Sequence, residues 1–153
     1  MLARAGYALA LGALAMLLAA QGSSAEPPPA TLYTMNCWGC HGARGQGVPG
    51  RVPRLAGSAG YFTRLPEGRA YLVEVPGVAE SPLSDGQVAE VLNWVLETFS
   101  REELVRGFVP YTEAEVAQDR KRQLSAVEAV RTALVKRLQL SAHRGPLPIA
   151  SAP

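Results

Sequence analysis

The sequence predicts an all-α domain, and three observations support that prediction. Ser84 followed by Gln87 has the form of a capping box, and apolar side chains then recur at helical spacing: Val88, Val91, Leu92, Val95, Leu96 and Phe99. Two more such patterns open helices at about 113–122 and 126–139, namely Thr112 with Glu115 and Ser125 with Glu128. No βαβ pattern of strands accompanies them.

The N-terminus, residues 1–25, has the layout of a secretory signal peptide. One basic residue, Arg4, precedes a 16-residue uncharged stretch from Ala5 to Ala20, and a small-x-small pattern ends at Ala25. A membrane-spanning helix needs about 20 apolar residues. We therefore expect cleavage after Ala25, with an uncleaved anchor as the alternative. Export would place both cysteines in an oxidising compartment.

By composition, the mature chain divides into a domain at 26–100 and a charged helical extension at 101–153. The whole chain has 15 basic and 13 acidic residues. Loss of Arg4 with the signal leaves 14 and 13, a near-neutral balance that argues against a nucleic-acid binder. From Arg120 onward, however, seven basic residues accompany one acid, Glu128.

The last predicted helix, at 126–139, has a narrow apolar stripe: Val127, Val130, Leu134 and Leu138. This stripe either packs on the domain or belongs to a docking surface, through which the basic extension contacts an acidic partner or a membrane surface. The segment 145–153 is expected to be a frayed tail.

Three segments precede the capped helix. Residues 30–40 predict one helix of about three turns, and residues 42–60, rich in glycine with Pro49 and Pro53, predict a wrapped loop that encloses something. Residues 68–75 predict a short helix ended by Pro76-Gly77, although eight residues are also compatible with a strand. GQGVPG at 45–50 matches a dinucleotide fingerprint, but it lacks the preceding strand and following helix, so we interpret the match as chance.

The segment CWGCH at 37–41 contains both cysteines and one of the two histidines. On a helix, Cys37 and Cys40 share a face and His41 follows directly. This spacing is the signature of c-type haem attachment, in which two thiols add to the haem and the imidazole binds its iron. The alternatives are weaker. A thioredoxin-like dithiol lacks its βαβ context, zinc would need the distant His143 as fourth ligand, and a disulfide leaves His41 and the loop unexplained.

With these motifs the chain resembles the small class I c-type cytochromes over about residues 30–100. The glycine-rich loop of that family leads to a Pro-x-Leu-x-Gly element, which is matched here by PRLAG at 53–57, twelve residues after His41. The resemblance implies a cytochrome c-like fold around one haem, attached through Cys37 and Cys40, with His41 as the iron ligand. It also implies that Pro53 and Leu55 belong to the haem site, with the Pro53 carbonyl accepting the N–H of His41.

Further residues are expected around the haem. The family packs an aromatic of its last helix on the first helix, and Trp94 with Tyr33 fits that contact. We expect three aromatic side chains to line the haem crevice: Tyr61, Phe62 and Tyr71. Three arginines are candidates to neutralise the haem propionates: Arg54, Arg64 and Arg69.

The chain departs from the family at the sixth iron ligand. The family supplies a methionine from the loop before its last helix, but residues 76–82, PGVAESP, contain none. Met1 and Met16 would leave with the signal, and Met35 is expected in the core on the side of the attachment. The sixth position is therefore open beside Val78, held by water, or taken by His143 of the extension. Methionine ligation raises the haem potential, so its absence predicts a lower one.

The resemblance implies an electron carrier and not an enzyme, with no catalytic residues. We expect a periplasmic monohaem cytochrome that carries electrons from a periplasmic dehydrogenase towards a terminal oxidase or another cytochrome. The alternative is a five-coordinate haem protein that binds NO, CO or peroxide at an open iron. A peroxidatic enzyme requires a distal acid–base group, and the expected distal segment, 76–82, offers only Glu80, which is better interpreted as a solvated loop acid.

Overall fold

The computed structural model describes residues 26–141, and these form α-helices joined by loops. Within this range strand-like pairing is confined to one isolated bridge between Val48 and Val52. The all-α prediction is confirmed. The predicted signal at 1–25, His143 and the tail at 145–153 lie outside the described residues.

The helices range in length from about one turn to about four turns. They are α1 Pro29–Asn36, α2 Trp38–His41, α3 Ala59–Phe62, α4 Pro66–Glu74, α5 Pro76–Ala79, α6 Asp85–Phe99, α7 Glu113–Asp119 and α8 Val127–Ser141, with a 3₁₀ turn at Arg101–Glu103. None of the helices in residues 26–141 combines the length and apolar character that crossing a bilayer requires.

Helix α6 is the centre of the packing, and its predicted capping box is present. The Ser84 hydroxyl accepts the Gln87 N–H at 3.1 Å, and the Gln87 side chain accepts the Ser84 N–H at 3.0 Å. One side of α6 packs on α7 around Val116, and the neighbouring side packs on α1. The buried α6 residues are Val88, Ala89, Val91, Leu92, Val95 and Leu96.

Helix α1 meets α6 through the predicted aromatic contact. The Tyr33 ring lies 5.3 Å from the rings of both Trp94 and Phe99, measured between centroids. Two expectations for this region are wrong. The single helix over 30–40 is interrupted at Cys37, whose φ of −121° separates α1 from α2. Met35 is 74% exposed, because α1 turns Leu32 and Tyr33 towards α6 and leaves Met35 on its outer side.

The remaining helix boundaries differ from the predicted ones by a few residues. The short helix predicted at 68–75 is α4, which begins at Pro66 because proline suits the first position of a helix; the strand alternative is excluded. Helix α3 begins within the predicted loop, α7 ends three residues early at Asp119, and α8 covers Val127–Ser141.

The described part of the extension packs on the domain. Helix α7 lies against α6, and α8 lies against α3 and α4. Three apolar side chains of α8 share one buried cluster with Phe62 and Tyr71: Leu134, Val135 and Leu138. The packed alternative for the stripe is therefore the one observed, although Val127 and Val130 only border this cluster.

Arg120, just after α7, braces the segment between α5 and α6. Its guanidinium donates to the carbonyls of Ala79, Ser81 and Leu83 at 2.8–3.2 Å. It also pairs with the Asp85 carboxylate at 2.8 Å, and its side chain is only 16% exposed. One largely buried side chain thus satisfies three carbonyls between the end of α5 and the start of α6.

Gly47 allows two parts of the loop to approach closely. Its φ is +65°, and a Cβ there would lie 2.5 Å from the Val52 oxygen and 2.8 Å from the Pro53 oxygen. Its N–H donates to the His41 carbonyl at 2.8 Å. The position therefore requires glycine on both steric and conformational grounds.

We expect Arg120→Gln to lower the free energy of unfolding by about 2–4 kcal/mol, because it leaves several partly buried acceptors without their donor. Urea unfolding followed by circular dichroism measures the loss. Arg101→Gln is the control, since its 3.7 Å pair with Glu97 is exposed and worth under about 1 kcal/mol. Equal losses in the two variants would contradict the bracing role of Arg120.

We expect Gly47→Ala to lower the free energy of unfolding by about 2–4 kcal/mol, because the backbone must give up its positive φ or move away from Val52 and Pro53. The same urea titration serves as the measurement. Gly86→Ala in α6 is the matched control, because the nearest atom would lie 3.6 Å from its Cβ and alanine favours a helix. A Gly47→Ala variant as stable as the wild type would refute the steric argument.

Candidate haem-attachment site

A cavity of about 350 Å³ lies between the first helices, the wrapped loop, α4–α6 and α8. This volume is in the range of sites that hold small molecules and cofactors. Most of its wall is apolar. The lining residues are Tyr33, Asn36, Cys37, Cys40, His41, Pro53, Arg54, Leu55, Ser58, Ala59, Phe62, Tyr71, Leu72, Val75, Pro76, Gly77, Val78, Ser81, Leu83, Val88, Val91, Leu92, Val95, Leu96, Val127 and Arg131.

Both cysteines and His41 line this one cavity. The N–H groups of Cys40 and His41 donate to the Cys37 carbonyl at 3.2 and 2.9 Å, so one helical turn holds the three side chains together. Neither cysteine is in a disulfide. Burial, with the neighbouring Cys40 adding to it, raises the pKa of Cys37, which keeps that thiol protonated at neutral pH. Within residues 26–141 no three His, Cys, Asp or Glu side chains converge as they would around a protein-held metal ion.

The imidazole of His41 is oriented by the wrapped loop. Its Nδ1 lies 3.0 Å from the Pro53 carbonyl oxygen, which can only accept, so Nδ1 carries the proton. Burial lowers the pKa of His41, and the hydrogen bond to Pro53 opposes that shift in part. The ring is therefore neutral at neutral pH, and its second nitrogen, Nε2, keeps a lone pair for a metal ion.

Backbone hydrogen bonds give the loop its shape. The Gly45 carbonyl accepts the N–H of Leu55 at 2.8 Å, and the Tyr33 hydroxyl donates to the Gly42 carbonyl at 2.7 Å. The Gly57 N–H donates to the Phe99 carbonyl at 2.8 Å, which ties the loop to the end of α6. Leu55, on this loop, packs against two of the core clusters and contributes to the cavity wall.

The segment that lacks the methionine also faces the cavity. Pro76, Gly77, Val78 and Ser81 contribute to its wall, whereas Glu80 is exposed and does not. Among the lining residues in the described part of the chain there is no methionine, and His41 is the one imidazole.

Of the three aromatic residues expected in the crevice, the structure places two in the cavity wall. Phe62 and Tyr71 are stacked there with 5.3 Å between their ring centroids. Tyr61 is not among the lining residues, so that expectation is wrong. Its ring lies instead 4.6 Å from the Arg64 guanidinium carbon.

Of the three arginines proposed for the propionates, Arg54 alone lines the cavity. Arg64 donates to the Glu103 carbonyl at 3.0 Å. Arg69 forms an ion pair with Glu115 and lies 3.9 Å from the centroid of the Tyr111 ring. Arg64 and Arg69 thus contact the segment after α6. Local sequence patterns do not predict that this segment lies beside them.

Sequence reasoning missed the contribution of the extension to this site. Val127 and Arg131 of α8 line the cavity, and Arg131 is only 8% exposed. Val127 and Arg131 are four residues apart, a spacing that places both on one face of a helix and could have indicated their shared location. An arginine among several basic residues, however, is normally interpreted as solvent-exposed.

The cavity fits the haem that CWGCH predicts. Two thiols in its wall could attach a haem covalently, and the neutral, oriented imidazole could serve as a ligand for its iron. The apolar walls suit a flat hydrophobic macrocycle and exclude water from it.

Comparison with known proteins agrees with this geometry. The family model described as "Cytochrome c" matches residues 29–98. A cytochrome c-552 of Thermus thermophilus is 32% identical over 130 residues, which cover 73% of this chain and 87% of that protein. Another cytochrome c-552 from the same species is 33% identical over 107 residues, covering 58% of this chain and 82% of that protein. The chain belongs to the cytochrome c family, which carries covalently attached haem c, and Cys37 and Cys40 fit its attachment motif.

Proposed function

We propose that this protein is an exported monohaem electron carrier and not an enzyme. The observation that carries the proposal is the arrangement of Cys37, Cys40 and His41 along one wall of an apolar cavity, with the His41 ring held by the Pro53 carbonyl. Bound there, haem c supplies an iron that gains and loses one electron. We propose that Cys37 and Cys40 attach it and that His41 binds the iron.

The surrounding residues suit electron transfer. Because Nδ1 keeps its proton against Pro53, the His41 imidazole is held in one orientation and would offer Nε2 to a bound iron. The buried faces of α1 and α6 give the cavity apolar walls, and the hydrogen-bonded loop supports one shape of the site. A site that changes little between its two states exchanges electrons with little rearrangement, which is what a carrier requires.

We also propose the cellular setting. The predicted signal at 1–25 supports export to the bacterial periplasm. The partners would be redox proteins, namely a periplasmic dehydrogenase as electron donor and a terminal oxidase or another cytochrome as acceptor. Basic side chains of α8 that are exposed, such as Lys136 and Arg137, support contact with an acidic partner or a membrane surface.

Cys40→Ala and His41→Ala should each abolish normal haem incorporation, since one loses a covalent bond and the other the proposed iron ligand. Haem is quantified by the pyridine haemochrome spectrum after expression with the signal sequence and a haem-attachment system. Met35→Ala, at an exposed position of α1, is the control and should keep a full haem content. Normal haem in either site variant would contradict the assignment of that residue.

Optical spectra test the carrier function against the ligand-binding alternative. We expect low-spin ferric and ferrous spectra that CO leaves unchanged, and reversible one-electron reduction and oxidation. His143→Ala would then test whether that residue is the sixth ligand, since its loss should make the iron high-spin. High-spin spectra that shift with CO would favour the ligand-binding alternative, which the lack of methionine among the described lining residues motivates.

A further inference from the structure

Arg131 is a positively charged residue on the buried face of α8. That face consists of Arg131, Leu134, Val135 and Leu138, which follow the spacing at which a packed helix carries apolar residues. The Arg131 side chain reaches the wall of the haem cavity. Burying a charge costs free energy unless its surroundings stabilise it, so the surroundings of Arg131 hold a positive charge in this wall.

The contacts of Arg131 place its charge beside an aromatic pair of this wall. Its guanidinium carbon lies 5.8 Å from the centroid of the Phe62 ring, and Phe62 is stacked on Tyr71. Burial raises the pKa of Tyr71, and the positive charge of Arg131 offsets part of that shift. The field of Arg131 therefore acts on groups that face the cavity.

The charged side chains that line the cavity are both cationic. They are Arg54 and Arg131, and no Asp or Glu of the described residues belongs to the wall. Arg54 is exposed, so water and salt screen it. Arg131 is only 8% exposed, so its charge acts through a medium of lower dielectric constant.

We propose that the positive charge of Arg131, in the wall of the haem site, raises the reduction potential of the iron. Reduction adds one negative charge to the haem, and a fixed cation nearby stabilises the reduced state more than the oxidised one. In the family a methionine ligand raises the potential, and no methionine lines this cavity within residues 26–141. The charge of Arg131 offsets part of the decrease in reduction potential that follows from the missing methionine. This inference rests on the proposed function.

The same inference gives the extension a role in electron transfer. Helix α8 is held against α3 and α4 by its apolar face, and Arg120 ties the preceding turn to the segment 79–85. Both contacts fix the position of Arg131 relative to the cavity. The extension is then a part of the redox site and not an appendage to it.

The test is a spectroelectrochemical titration of the full-length holoprotein. Arg131→Gln and Arg131→Met remove the charge, the latter with a side chain suited to an apolar cluster, and Arg131→Lys keeps it. Arg137→Gln is the control on the same helix, since Arg137 is half-exposed and pairs with Glu67 at 3.3 Å on the surface. Haem content and unfolding free energy are measured for each variant.

We expect the neutral variants to lower the ratio of ferrous to ferric protein at a fixed electrode potential by about 3- to 10-fold. Arg131→Lys should retain most of the wild-type ratio, and Arg137→Gln should match the wild type. Haem loss in both neutral variants but not in Arg131→Lys would also support a requirement for the charge. Unchanged ratios in haem-loaded neutral variants, or haem loss in Arg131→Lys as well, would overturn the proposal. If the wild type itself carries no haem, the proposed function fails instead.

Discussion

The hydrogen bond between the His41 imidazole and the Pro53 carbonyl is the constraint on which the rest of the site depends. It joins the end of α2 to a loop that must return over twelve residues to the same ring. That return is possible because Gly47 lets the backbone approach Val52 and Pro53 closely. Without the return, the imidazole would lose its orientation and Leu55 its place in the cavity wall.

The extension after α6 completes this arrangement from the other side. Arg120 supplies hydrogen-bond donors to the short segment before α6, where the class I family carries its methionine. Arg122 bridges two nearly buried carboxylates, Glu74 and Asp119, at 2.6 Å each. Two of the basic residues that suggest a docking surface in the sequence therefore hold internal contacts. The segment without methionine is thus anchored by the guanidinium of Arg120.

Much of this fold follows from local pattern, and the failures have a common cause. Capping at Ser84 and the spacing along α6 predict a long helix with a defined buried face, and the resemblance to the class I family implies the contact between His41 and Pro53. The exposure of Met35 could not be predicted, because α1 has only about two turns and carries apolar residues on several sides. Arg69 could not be placed because its partner, Glu115, is 46 residues away. Periodicity predicts which face a long helix buries; it does not predict the partners of single side chains across the fold.

Within residues 26–141, the lack of a methionine in the cavity wall and the presence of Arg131 both bear on the reduction potential. A thioether ligand raises the potential by favouring ferrous iron through its bond, whereas a buried cation favours the ferrous state through its field. A thioether ligand needs a loop of suitable length over the iron, whereas a buried cation needs only a helix packed beside the cavity. With the segment before α6 braced by Arg120 and α8 fixed by its apolar face, this chain has the elements for the second. The electron-carrying role can thus be maintained by electrostatics from a segment beyond residues 29–98, the part that matches the family model.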